Sequence, residues 1–171
     1  MHIQYTILPA PPGDVLTAES RDALVFVGLG PAALDQLTRF VKRWYPGAQI
    51  VPTITDSSRQ VMEYLEGERK RFSLPLDLKG TDFQNQVWKA LTEIPYGETS
   101  TYGRLAHKVD RPLAPRAVGQ ACGANPIPLV IPCHRVLTGG GGLGGFGSGL
   151  DWKRWLLALE QPGLSFANRK A

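Results

Sequence analysis

The sequence predicts an α/β protein of two domains: a small mixed α/β unit over residues 1–79 and a mostly helical unit over residues 80–171. Three observations carry this. Before residue 30 the apolar residues alternate or cluster in short runs, as in strands, and helical spacing follows them. Beyond Gly80 the apolar spacing is mostly helical, broken by short Pro- and Gly-containing stops and by one strand-like stretch. The change falls near Leu78-Lys79-Gly80, and 171 residues suffice for two small cores.

In the first unit, Ile3, Tyr5 and Ile7 alternate with polar residues, which predicts a half-buried strand. Ala23–Val27 predicts a second strand, with Pro9, Pro11, Pro12 and Gly13 as the turn between them. Leu34, Leu37, Val41 and Trp44 recur at helical spacing until Pro46-Gly47 stops the helix. Another amphipathic helix spans about residues 57–67 with Val61, Met62 and Leu65 inward. Nothing in this half has the composition of a reactive site, and it reads as scaffold.

In the second unit, Thr81 or Asp82 caps a helix whose apolar face is Phe83, Val87, Leu91 and Ile94. Pro95-Tyr96-Gly97 ends it, and Thr99 or Ser100 caps a short helix bearing Tyr102, Leu105, Ala106 and Val109. After Asp110-Arg111-Pro112, Pro115 suits the first turn of a helix through Cys122 that Asn125-Pro126 stops. Two short helices across a tight break fit a helix-turn-helix, although such pairs also serve as packing units. Ala117, Gly119 and Ala121 leave the second helix slender enough to approach a minor groove. A strand-like stretch over residues 127–131 then leads to Cys133, and a final helix places Trp152, Trp155, Leu156 and Leu159 inward.

Composition narrows the function classes. No apolar run reaches bilayer length and no signal peptide opens the chain, so the expected location is the cytoplasm, at the nucleoid if the source is bacterial. Cys122 and Cys133 are the only cysteines and His2, His107 and His134 the only histidines, without a Cys-x-x-Cys pair. Neither zinc nor any other metal or cofactor is expected. The net charge is +4: residues 1–79 carry nine basic and nine acidic side chains, residues 80–171 ten and six. The excess lies in the half with the helix pair, as a polyanion-binding unit requires.

Pro132-Cys133-His134 places a thiol directly beside an imidazole able to take its proton. Neighbours in an extended strand face opposite ways, so a contact between them needs a turn, which Pro132 favours. A bare Cys-His pair reads first as a small buried thiol and a satisfied core histidine.

The longer string Pro132-Cys133-His134-Arg135-Val136 resembles the O6-alkylguanine-DNA alkyltransferase (methylated-DNA–protein-cysteine methyltransferase) family. Ile94-Pro95-Tyr96-Gly97, Tyr102-Gly103, Arg116-Ala117-Val118-Gly119, Asn125-Pro126 and Lys153…Leu156-Leu157…Glu160 extend the likeness over about residues 80–161 in one order. The first half is similar only in length and strand–helix pattern. The resemblance implies an RNase H-like sheet with helices, then a winged-helix-like domain with a helix-turn-helix. It implies irreversible, single-turnover transfer of an alkyl group from O6-alkylguanine in double-stranded DNA to Cys133, and leaves open whether O4-alkylthymine is a second substrate. Minor-groove binding and base flipping precede that transfer. No membrane and no obligatory protein partner are expected.

By the same resemblance, Cys133 is the alkyl acceptor, His134 its water-linked base, Glu160 the carboxylate that orients His134, and Asn125 the hinge tying the second helix to the cysteine turn. Arg116 is the finger that refills the stack and Tyr102 the residue that turns the target phosphate and contacts the flipped base. Ala117, Gly119, Arg135, Phe146 and Gly147 complete the substrate and DNA contacts. Taken singly, without the Cys133 string, Arg116 reads first as a phosphate anchor, Tyr102 as a core aromatic, Asn125 as a helix stop and Glu160 as a solvated helix end.

Phe146 departs from the resemblance, which implies a tyrosine whose hydroxyl serves O6. Phenylalanine can stack on a base but not donate, leaving the Gly147 N–H for O6. Gly140-x-Gly142-x-x-Gly145 matches a dinucleotide fingerprint formally, but no acidic residue ending a second strand follows; these glycines read as a flexible wall over the pocket. A lesion sensor or DNA-binding regulator without chemistry is the alternative, and a Cys-His hydrolase a third class.

Overall fold

The computed structural model describes residues 1–166 and 169–171. They form two compact units, Met1–Lys79 and Gly80–Ala171.

The first unit is one sheet with two helices. Its elements are β1 (His2–Leu8), β2 (Val15–Ser20), β3 (Ala23–Leu29), α1 (Ala33–Trp44), β4 (Gln49–Pro52) and α2 (Asp56–Leu65). The strand order is β3-β2-β1-β4, antiparallel except for the parallel pair β1·β4. The Pro9–Gly13 turn therefore joins β1 to β2, not to the Ala23 strand as the sequence pattern suggested. β2 escapes that pattern because it is covered on both faces. Leu16 and Ala18 share a core with Leu37 and Val41 of α1, whereas Glu19, one residue on, accepts the Ser57 N–H of α2 at 2.8 Å. With Thr17, Glu19 and Ser20 all buried, its sequence shows neither alternation nor an apolar run. The same sheet corrects other expected faces: Ile7, Leu34 and Trp44 point to solvent, and Tyr45 and Tyr64 fill the core.

The second unit contains α3 (Asp82–Thr92), β5 (Ser100–Thr101), α4 (Tyr102–Lys108), α5 (Pro115–Gly123), a 3-10 turn (Cys133–Arg135), β6 (Val136–Leu137) and α6 (Leu150–Glu160). α3 starts in a capping box between Thr81 and Gln84. Its Trp88 indole N–H donates to the Ala121 carbonyl of α5 at 2.8 Å. A Cβ on Gly80 would lie 2.4 Å from the same indole, so only glycine fits there. Thr101, rather than Thr99 or Ser100, caps α4, because Ser100 and Thr101 pair in parallel with Val136 and Leu137. That pairing joins the entry of α4 to the exit of the cysteine turn. α4 and α5 pack across a turn in which Asp110 has φ 57° and the Arg111 N–H returns to the Ala106 carbonyl at 2.8 Å. Pro115 occupies the first turn of α5.

The stretch before Cys133 is not a strand. Ile127, Leu129 and Ile131 are fully buried at a spacing of two, which imitates one, but Pro126, Pro128 and Pro132 remove the donors a ladder needs. The chain turns instead, with Leu129 at φ 74°. In α6 the buried side chains are Trp152, Lys153, Leu156, Leu157 and Glu160, while Trp155 and Leu159 are only half-buried. Among the described residues no helix is long and apolar enough to cross a membrane.

Candidate active site

The 3-10 turn at Cys133–Arg135 solves the problem of adjacent residues facing apart. It buries all three side chains on the inner side of the chain, with the Cys133 N–H bound to the Ile131 carbonyl at 2.8 Å. His134 Nε2 lies 2.7 Å from Glu160 Oε1 at the end of α6. Arg135 closes on the same carboxylate as a fork: Nε to Oε2 at 2.8 Å and Nη2 to Oε1 at 2.8 Å. Its third donor, Nη1, meets the Ile94 carbonyl at 2.6 Å. Arg135 was expected at the substrate or DNA; it is instead 6% exposed and committed to Glu160.

The motif Ile94-Pro95-Tyr96-Gly97 wraps this pair. Gly97, at φ 78°, donates its N–H to Glu160 Oε2 at 3.3 Å, and Gln161 Nε2 donates to the Gly97 carbonyl. The Tyr96 hydroxyl donates to the Leu159 carbonyl at 3.3 Å, and its ring lies 5.7 Å from the Arg135 guanidinium.

Asn125, just beyond α5, ties that helix to the thiol. Its Oδ1 accepts the Ile127 N–H at 2.9 Å, which fixes the amide orientation. Nδ2 then donates to the Ile131 carbonyl at 2.8 Å and to Cys133 Sγ at 3.3 Å.

The charges follow from burial and partners. Burial alone would raise the Glu160 carboxyl, but the hydrogen bonds from His134 and Arg135 and the Arg135 charge outweigh it and hold the group well below the usual carboxylate range. Burial lowers His134 despite the pull of Glu160, so the imidazole is neutral at neutral pH. Burial pushes the Cys133 thiol up; the Asn125 amide, Lys153 and backbone N–H groups pull the other way. A resting thiol with a neutral imidazole next to it needs a proton transfer before it can attack. Cys122 of α5 is likewise pushed up, to about 12, by burial first and then by its proximity to Cys133.

Tyr102 opens α4 beside this cluster, raised to about 12 by burial first and then by the two thiols, so its hydroxyl stays protonated. Gly119 of α5 faces the ring on one side, where a Cβ would lie 3.8 Å from it; at Gly144 a Cβ would come within 2.9 Å of ring and hydroxyl. Gly144 also has φ 70°, so both space and backbone require glycine. Leu143 anchors this segment in a core with Leu137 and Leu157, which makes it a fixed wall. Phe146 is half-buried in it and Gly147 exposed; a Cβ on Gly147 would sit 4.0 Å from the Gly123 carbonyl at the end of α5. Arg116, the second residue of α5, is exposed, and Ala117 is half-buried. Cys133, His134, Glu160 and Asn125 thus converge, Tyr102, Gly119 and the wall adjoin them, and Arg116 lies outside the cluster on the solvent side.

Two partners escape sequence reasoning. Arg135 reads as an external base because nothing local pairs it with a residue 25 positions away. Lys153 looks like an ordinary helix lysine, yet it is fully buried. Its spacing to Leu156, Leu157 and Glu160 (i, i+3, i+4, i+7) is the signal that placed it on the inner face.

Fold and site together define a two-unit α/β protein with a buried thiol next in sequence to a buried histidine–carboxylate pair. The family model described as 6-O-methylguanine DNA methyltransferase, DNA binding domain, matches residues 82–162; the model of that enzyme's ribonuclease-like domain matches residues 3–78. An inducible methylated-DNA–protein-cysteine methyltransferase of Bacillus subtilis is 40% identical, over 84% of this chain and 82% of its own. One of Methanosarcina acetivorans is 41% identical over 91% and 97%. The crystal structure of Mycobacterium tuberculosis OGT in complex with DNA superposes with a TM-score of 0.80 at 40% identity, covering 92% of each chain. The chain belongs to the methylated-DNA–protein-cysteine methyltransferase family.

The relay makes folding stability depend on pH in a defined direction. Both His134 and Glu160 titrate lower folded than unfolded, so the unfolded chain binds more protons and stability falls as pH falls. Loss begins below about pH 6.5, where an unfolded histidine charges, and steepens below about 4.3, where an unfolded glutamate protonates. Denaturant midpoints measured from about pH 8 to 3 check this; His134→Gln is expected to remove the upper step and keep the lower.

Proposed function

We propose that this protein restores O6-alkylguanine in double-stranded DNA by moving the alkyl group irreversibly onto Cys133, once per molecule. The observation that carries the reading is a pair of hydrogen-bonded sets, Asn125–Cys133 and His134–Glu160–Arg135, which the cysteine turn brings side by side. Membership of the family and the likeness to an OGT bound to DNA support it.

The chemistry assigned to each residue follows from the geometry. Glu160 holds His134 Nε2, which leaves Nδ1 as the nitrogen that takes the Cys133 proton, through a water. Glu160 then balances the imidazolium. The thiolate Sγ attacks the methyl carbon in line: the S–C bond forms, the C–O6 bond breaks, and its electron pair passes to O6. The leaving guanine takes up a proton, so thiol and O6-methylguanine become thioether and guanine. A thioether is no leaving group for the relay, so no second turnover follows.

Cys133 is 7% exposed, and a base stacked in a duplex cannot present its O6 substituent to a sulfur so enclosed. The nucleotide must flip out. In this reading the α4–α5 pair sits in the minor groove, with Ala117 and Gly119 permitting close approach and Arg116 filling the vacated stack. Tyr102, a protonated hydroxyl beside the thiol, turns the target phosphate and contacts the base. Cytoplasmic residence at the nucleoid would suit this role.

Replacement of Cys133 by Ala is expected to abolish the conversion of O6-methylguanine to guanine, read by nucleoside chromatography of a treated duplex, and to leave duplex binding unchanged. Persistent conversion by that variant would refute the reading; duplex binding without conversion by the unaltered protein would favour the sensor. Phe146 gives a second test. A missing neutral hydrogen bond to O6 costs on the order of 1 kcal/mol, more as charge develops. Phe146→Tyr is therefore expected to speed single-turnover transfer, by about tenfold for each ~1.4 kcal/mol recovered, with duplex affinity unchanged. An unaltered rate would show that the Gly147 N–H or a water already serves O6.

A further inference from the structure

Lys153 has no part in the relay, yet it is among the largest fully buried side chains of the protein. Its Nζ donates to the Val136 carbonyl at 2.7 Å, to the Leu143 carbonyl, and to the Gly145 carbonyl at 3.4 Å. Val136 directly follows the cysteine turn, whereas Leu143 and Gly145 belong to the glycine wall, so one ammonium fastens the two together. It also stands 5.9 Å from the centre of the Tyr102 ring.

Three carbonyls satisfy its three N–H groups but not its charge. Among the described residues no carboxylate lies within ion-pair distance of Lys153; Glu160, seven residues on in the same helix, is occupied by His134 and Arg135. A neutral donor would make the same kind of hydrogen bond without the cost of burying a cation. The groups that face it are Tyr102 from α4, Cys122 from α5, and Cys133 with His134 from the 3-10 turn. Of these, only a thiol or the Tyr102 hydroxyl can become an anion. Cys133 lies in the turn that carries His134, receives the Asn125 amide at 3.3 Å, and is followed closely by Val136, whose carbonyl the ammonium binds, so Cys133 is the group whose ionisation this charge can serve. Electrostatically the two act on each other: Lys153 lowers the thiol, and the thiolate raises Lys153 against the larger effect of burial, which leaves it lowered to about 8.

We propose that Lys153 is a positioning residue for the alkyl transfer: its buried ammonium is the counter-charge of the Cys133 thiolate, and its grip on Val136, Leu143 and Gly145 holds the pocket wall to the cysteine turn. This rests on the reading of Cys133 as alkyl acceptor. Lys153 and Glu160 divide the electrostatic work. The lysine favours the thiolate and opposes an imidazolium at His134, whereas Glu160 supports that imidazolium.

The test reads thiol ionisation apart from DNA chemistry. Iodoacetamide alkylates the Cys133 thiolate, forming S–C as C–I breaks and iodide leaves, and its rate is followed against pH by peptide mapping. Wild type is compared with Lys153→Met, Lys153→Gln and Lys153→Arg, with methyl transfer from an O6-methylguanine duplex measured in parallel. The neutral variants are expected to move the midpoint up by about one pH unit, which slows the reaction about tenfold below the midpoint. Lys153→Arg is expected to stay within a few tenths of a unit of wild type. A folded Met or Gln variant with an unmoved midpoint would overturn the proposal and leave Lys153 a fastener only. So would neutral variants that fail to fold while the Arg variant folds, since the charge would then be a requirement of the fold. A shifted midpoint in a protein that takes no methyl from DNA would instead refute the acceptor reading and leave the lysine–thiolate coupling standing.

Discussion

The carboxylate of Glu160 is the point on which the site depends. It is 5% exposed, too dry to remain ionised alone, and it is shared between a neutral imidazole and a forked guanidinium. Arg135 supplies the full charge that keeps it ionised; His134 takes from it an orientation and, once protonated, a counter-charge. Such pairs rarely add net stability over an apolar substitute, but removing one partner strands the other at a cost of about 3–5 kcal/mol. The reactive centre and the local fold therefore rely on the same ion. Ile94 and Gly97, which also bind this pair, bring the end of α3 into the arrangement, so the cysteine turn is braced from two sides.

Around that ion the site is made by close backbone approach rather than by many polar side chains. Asn125 replaces a strand ladder in a proline-rich stretch, giving amide hydrogen bonds where Pro126, Pro128 and Pro132 have none to offer. Gly144 lets the wall meet Tyr102 at a separation no Cβ would allow. The parallel pair β5·β6 joins the residue before Tyr102 to those following the cysteine turn. Segments from four parts of the second unit thus fix one thiol, and none of them needs a metal-type ligand set to do so.

Helices were the legible part of the fold. The Thr81 cap, the start of α5 at Pro115 and the inward positions Leu37, Val41, Val61, Val87 and Leu91 follow from spacing and local stereochemistry, which a helix expresses within a few residues. β2 was invisible because a strand covered on both faces, with a buried Glu19 hydrogen-bonded to another element, carries no periodic signal. Residues 127–131 erred the other way, since a spacing of two came from alternate prolines instead of a pleat. In the candidate site, the residues that converge, Cys133, His134, Asn125 and Glu160, are ones the family string names. The partners of Arg135 and Lys153 could not be read from it, because a buried cation is recognised by what surrounds it in space.

The central claim is that this constellation makes Cys133, and no other group, the destination of the alkyl group. Peptide mapping by mass spectrometry after incubation with an excess of O6-methylguanine duplex tests it most directly. The account requires one methyl per chain, on the peptide containing Cys133, with Cys122 unmodified and no guanine released beyond one equivalent. A methyl on Cys122, or guanine release that continues past one equivalent while Cys133 stays free, would contradict it.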